Sequence, residues 1–73
     1  SQYFSKKIFL IEEEIEKLTN EIKKIELFLS NENLYIEDKQ KFEVASKELV
    51  LRQKRLIEVE DEWFQLERQR SPS

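Results

Sequence analysis

The apolar residues of this chain fall on two seven-residue ladders, one in each half of the sequence. Phe4, Ile8, Ile11, Ile15, Leu18, Ile22, Ile25 and Leu29 advance by alternating steps of four and three. Phe42, Ala45, Leu49, Arg52, Leu56, Val59, Trp63 and Leu66 do the same, with Arg52 as the one polar intruder. Spacing of this kind keeps a narrow stripe of an α-helix turned toward a partner helix, as in a coiled coil. Two ladders separated by a short break fold back on each other most simply. The expected fold is all-α, an antiparallel two-helix coiled-coil hairpin.

Length and composition narrow the choice further. Seventy-three residues make at most one small domain and cannot enclose a deep catalytic cavity. Charged residues are 40% of the chain, glycine is absent, and Pro72 is the only proline, a composition that suits long solvated helices over turn-rich β architectures. There is no Cys and no His, which removes disulfides, thiolate chemistry and the usual zinc sites. Lack of cysteine fits a cytoplasmic protein. No apolar run approaches the roughly 20 residues that cross a bilayer, and no signal-peptide pattern opens the chain.

The predicted first helix covers residues 3–30, roughly 40 Å at 1.5 Å per residue. Ser30-Asn31-Glu32-Asn33 breaks the apolar period with residues that favour turns. Leu34-Tyr35-Ile36 is an apolar island inside that break, so the irregular tip, residues 31–37, is expected to pack a small core of its own. Asp38 is the predicted N-cap of a second helix running to residue 70. Residues 71–73 are expected to form a frayed tail.

Charge suggests how the two helices align. With Ile8, Ile15, Ile22 and Leu29 at heptad position a, and Phe42, Leu49, Leu56 and Trp63 at a in the second helix, one register pairs Leu18 with Leu49 and Phe4 with Trp63. It sets Lys7 near Glu62 and Glu14 near Arg55, and leaves Glu21 facing Glu48. A slip of seven residues sets Glu14 near Glu62 and Glu12 near Glu60, gaining only Glu21 with Arg55. The first is therefore preferred, although exposed pairs contribute only a few tenths of a kcal/mol each. Arg52, at a core position, is expected to pack its aliphatic stem and extend its guanidinium to Glu14 or Glu48.

Carboxylates are abundant, yet a catalytic pair needs a pocket that separates two pKa values. On a two-helix rod Glu12, Glu13, Glu14 and Glu16 read as a solvated face, so the chain itself is not expected to be an enzyme or to hold a metal. Charge placement is more informative. Residues 17–57 hold nine basic residues against seven acidic, and the remainder four against nine, so the net charge of −3 conceals a basic tip half. Lys17, Lys24, Lys41 and Arg55 fall at c or g positions on one side, with Lys47 and Lys54 just round the helix. A groove between the helices would track phosphates there. Tyr35 lies at the tip beside Lys39 and Lys41, as a packing residue or an exposed contact. Phe4 and Trp63 are expected to be core aromatics.

One further pattern stands outside the seam. Val50, Ile57 and Phe64 are seven apart at b positions, and Phe9 is at b of the first helix. An aligned apolar row on a charged rod points to a docking surface for a partner or a second hairpin.

Several local stretches carry a family resemblance. Ile15-Glu16-Lys17-Leu18-Thr19-Asn20-Glu21-Ile22, the turn ending in Leu34-Tyr35, then Phe42, and finally Asp61-Glu62-Trp63-Phe64-Gln65-Leu66-Glu67 resemble the C-terminal coiled-coil domain of Uup-type ABC-F ATPases. The likeness spans nearly the whole chain. Glu12 departs from it where many relatives have proline, and Glu62 where an arginine often precedes the tryptophan. The resemblance implies a DNA-binding appendage of a cytoplasmic protein with two upstream ABC cassettes, where ATP and Mg would be bound. It implies DNA, ribosomal or other structured RNA, and the parent's own ABC domains as partners. The chain contains no Gly-rich phosphate loop itself.

Overall fold

In the computed structural model, residues 2–70 are described and form three helices in succession: α1, Gln2–Leu29; α2, Leu34–Glu37; and α3, Lys39–Arg70. The long helices, α1 of 28 residues and α3 of 32, pack against each other into a rod of 54 × 15 × 14 Å. Their direction follows from the contacts that cross between them. Glu12 meets Trp63 and Glu21 meets Arg52, so sequence rises along one helix as it falls along the other. This is the antiparallel hairpin expected from the ladders. Among the described residues there is no strand, and no helix is long and apolar enough to cross a membrane. The tail expected at residues 71–73 lies outside the described residues.

The ladders form the interface throughout. Ile8, Ile11, Leu18, Ile22, Val59 and Leu66 are buried, and every other ladder residue is at least half-buried. The core is uneven, however. Its continuous part joins Ile8, Ile11, Leu18, Val59 and Leu66, with Phe4, Ile15, Leu56 and Trp63 packed around them, mostly in the open half of the rod. Toward the tip the seam of α3 offers Ala45 and Arg52, which bury less apolar area than leucine or valine.

Chain reversal occurs without glycine, and no described residue has a positive φ. The turn is instead assembled from local polar contacts. The Ser30 hydroxyl donates to the Leu27 carbonyl at 2.6 Å, and the Asn33 amide donates to Asn31 Oδ1 at 3.0 Å, an Asx turn that competes with helix continuation. The apolar island then makes one helical turn, α2, rather than the irregular loop the sequence suggested. Leu34 is buried there, and the Tyr35 ring meets Phe42 edge-on at 5.2 Å. Asp38, at φ −150° and ψ 81°, ends that turn. Its Oδ1 accepts the Lys41 amide at 3.1 Å, which makes it the N-cap of α3. Asp38→Ala is expected to cost about 1 kcal/mol, read as a lower midpoint in urea denaturation with unchanged slope.

The alignment of the helices differs from the register that charge favours. Trp63 was expected beside Phe4, but its indole N–H donates to Glu12 Oε2 at 3.0 Å. Leu66, which that register leaves opposite the first residue of the chain, is only 7% exposed. Thus α3 is displaced toward the tip by several residues, and its first turns reach past α1 to pack on α2. Burying an additional leucine is worth about 1.5–3 kcal/mol, whereas each exposed ion pair adds a few tenths. Packing decides the register.

The polar contacts accommodate this shift. Arg55 still makes the expected pair with Glu14, through two parallel contacts of 3.0 and 3.2 Å. Lys7 does not reach Glu62; its ammonium lies over the Tyr3 ring at 5.8 Å. Arg52 bonds to Glu48, as one of its expected partners, but its second carboxylate is Glu21 at 3.6 Å rather than Glu14. The cation therefore sits between the two glutamates whose repulsion the sequence foresaw.

Candidate nucleic-acid interface

Each cation of the proposed patch takes its place from its heptad position. Lys17 and Lys24, at c, project from one flank of α1 and line a shallow depression with Glu13, Glu16, Asn20 and Glu21. Lys47 borders another with Ser46, Val50 and Leu51 on the outer surface of α3. Lys41 lies at a third, beside Phe28, Gln40 and Val44. Lys54 is exposed one heptad beyond Lys47. Lys17, Lys24, Lys41 and Arg55 were expected on one side, with Lys47 and Lys54 just round the helix, and of these Lys41 borders a depression shared with Phe28 of α1. Position f points away from the partner helix, so Lys47 and Lys54 face outward on α3 while Lys17 and Lys24 flank α1. The cations encircle the tip half as a sleeve.

Their availability differs as well. Hydrogen bonding to Glu14, reinforced by that carboxylate's charge, raises the affinity of the Arg55 guanidinium for its proton, and Glu58 adds a contact at 3.5 Å. Arg52 is raised in the same way, first by its hydrogen bond with Glu48 and then by the charge of Glu21. Both arginines are already engaged by carboxylates. Lys41 lies 3.8 Å from Asp38 and Lys39 4.0 Å from Glu43, both exposed and weakly held. Among the described residues Lys17, Lys24, Lys47 and Lys54 make no ion pair, and neither does Lys23, which the sequence reading left out of the set. Its heptad position b, on the flank opposite Lys24, was legible but lay off the presumed groove.

Tyr35 combines the two roles considered for it. The ring is 50% exposed, one edge rests on Phe42, and the Lys39 ammonium lies 5.7 Å from its centroid. An aromatic face paired with a cation, at the end of a rod whose tip half has a positive balance, can stack on a base while contacting phosphate. Phe4 and Trp63, by contrast, pack against the core. Among the described residues no cluster of acidic side chains could hold a metal ion.

The docking row is solvent-facing. Phe9, Val50, Ile57 and Phe64 are all exposed, and Phe64 lines a shallow depression with Glu12, Ile15, Glu60 and Trp63. A second apolar set escaped the sequence reading: Tyr3 and Leu10 on α1, and Val44 and Leu51 on α3, each pair seven residues apart at position c. In comparisons with family models, curated proteins and solved structures, nothing matches this chain.

Proposed function

We propose that this hairpin is a nucleic-acid-binding appendage of an ABC-F ATPase, directed at the phosphate backbone of DNA or structured RNA without reading bases. The observation that carries the reading is a set of lysines, Lys17, Lys24, Lys47 and Lys54, with no ion pair among the described residues, around a tip half with a positive balance on a chain of net charge −3. The local motifs that resemble the Uup-type C-terminal domain suggest the parent protein and favour DNA. A rod of this shape inserts its tip against a duplex and keeps its acidic stem away from the phosphates.

Cations distributed as a sleeve fit contacts to a curved backbone better than base-edge recognition, which needs several side chains converging in one groove. Binding is therefore expected to be weak, in the range of about 10⁻⁴–10⁻⁶ M, and to fall as salt is raised. Titrating a fluorescent duplex with the chain at low and high salt, and following anisotropy, tests this. Salt-insensitive binding, or none at millimolar protein in low salt, rejects the reading.

A second reading has its own observation. Among the described residues twelve large hydrophobic side chains are exposed and seven hydrophobic ones are buried. Such a surface suits a protein-interaction coiled coil that docks on the parent's ATPase domains or dimerises.

A further inference from the structure

The apolar row of α3 has a charge pattern that selects its occupant. Val50, Ile57 and Phe64 are 62%, 68% and 57% exposed and lie on one straight line of the helix surface. On the tip side of Ile57 this surface carries Lys47 and Lys54, with Gln53 between them. On the stem side it carries Glu60, Asp61 and Glu67; Glu43 beyond Val50 and Arg68 beyond Phe64 have the opposite sign to their own end, and each end keeps its balance, basic toward the tip and acidic toward the stem. Lys54 and Asp61 share position f, on the same flank of the row, at nearly equal distances either side of Ile57. Both are exposed, and neither makes an ion pair among the described residues.

A surface that is basic at one end, acidic at the other and apolar through the middle is complementary to itself after a half-turn. We infer that the row binds a second copy of this chain, antiparallel, about a two-fold axis passing beside Ile57. Each Ile57 then packs on the Ile57 of the second copy, and Val50 meets Phe64. Lys54 faces Asp61 of the other copy, and symmetry makes that pair twice. The rods lie tip to stem, so each basic half meets an acidic half. A parallel arrangement would instead set two acidic stems side by side. The depression lined by Glu12, Glu60 and Phe64 beside the row gives the second copy's apolar residues a seat.

Dimerisation through this face is separate from nucleic-acid binding, although it withdraws Lys54 from the tip half. The experiment contains no nucleic acid, so failure of one reading leaves the other standing. Sedimentation equilibrium of the chain is expected to give a mass rising with concentration from 9.0 kDa toward twice that value. Because the chain has no cysteine, single-cysteine variants report the axis directly. Ile57→Cys should form a disulfide-linked dimer under mild oxidation at least about tenfold faster than Val50→Cys or Phe64→Cys, whose copies lie far from their equivalents. Lys54→Glu should weaken the dimer by about tenfold or more, and Lys54→Glu with Asp61→Lys should restore it. Circular dichroism of each variant should match the parent, since these side chains lie off the seam. A chain that remains monomeric at all concentrations overturns the inference. So does a dimer in which position 57 does not cross-link to itself, or in which the charge swap fails to restore association.

Discussion

Val59→Asp is expected to abolish the hairpin. Val59 is the one described side chain with no exposed surface, and it belongs to one core cluster with Ile8, Ile11, Leu18 and Leu66. An aspartate there forfeits about 1.5–3 kcal/mol of apolar burial and adds several kcal/mol for an unpaired carboxylate in a dry seam. A chain of this length has only about 4–11 kcal/mol of total stability at 0.05–0.15 kcal/mol per residue. With the seam lost both long helices are expected to unravel, because most helical stability in proteins comes from packing an amphipathic face. Far-UV circular dichroism should therefore show loss of most helical signal and of the cooperative thermal transition. Leu51→Asp, exposed on the same helix and outside the row of Val50, Ile57 and Phe64, is the matching control and should melt like the parent; if Val59→Asp does so too, the seam described here is wrong.

The ladder explains why so much of this architecture was legible. Steps of three and four keep one face of each helix apolar, and those same residues are buried or half-buried in the rod. Asp38 was readable as a cap because a short side-chain acceptor stood just ahead of a renewed ladder, and it bonds the Lys41 amide. Glu14 with Arg55 was also readable, because long side chains tolerate an axial shift.

Register was harder. The charge comparison weighed contacts of a few tenths of a kcal/mol and left out the burial of Leu66 and the helical turn at the tip. Whether Leu34-Tyr35-Ile36 coils into a turn depends on packing against α3, which no local pattern encodes. Arg52 illustrates the same limit: its stem position was plain, but Glu21 became its partner only once the helices had slipped.

The candidate site was legible in composition more than in shape. The excess of lysine in the tip half is a property of the sequence. That the lysines encircle the rod follows from positions c and f pointing away from each other across a two-helix seam. Side-chain partnership changed the set again. Arg55 is committed to two glutamates, while Lys23 stands free among the described residues.

Replacement of the free tip lysines should have the largest effect on binding. Lys17→Gln, Lys24→Gln, Lys47→Gln and Lys54→Gln together remove four charges that have no ion-pair partner among the described residues. The hairpin itself should be unaffected, because all four side chains are exposed. Each lost phosphate contact reduces the slope of log affinity against log salt by about 0.9 on duplex DNA. The quadruple variant should thus flatten the slope by up to about 3–4 and weaken binding by about a hundredfold or more at low salt. The loss should be the same across duplex sequences, because phosphates carry no sequence information directly.

The most direct measurement compares this variant with its counterpart at the stem, where Lys6, Lys7, Arg68 and Arg70 are changed to glutamine. Both sets remove the same formal charge, so a difference between them reports location. Anisotropy titrations of one duplex across a range of salt give affinity and slope for each protein. The expected result is a flattened slope and lost affinity for the tip variant, with the stem variant close to the parent. Equal losses from both sets, or a parent slope near zero, would contradict a nucleic-acid site in the tip half.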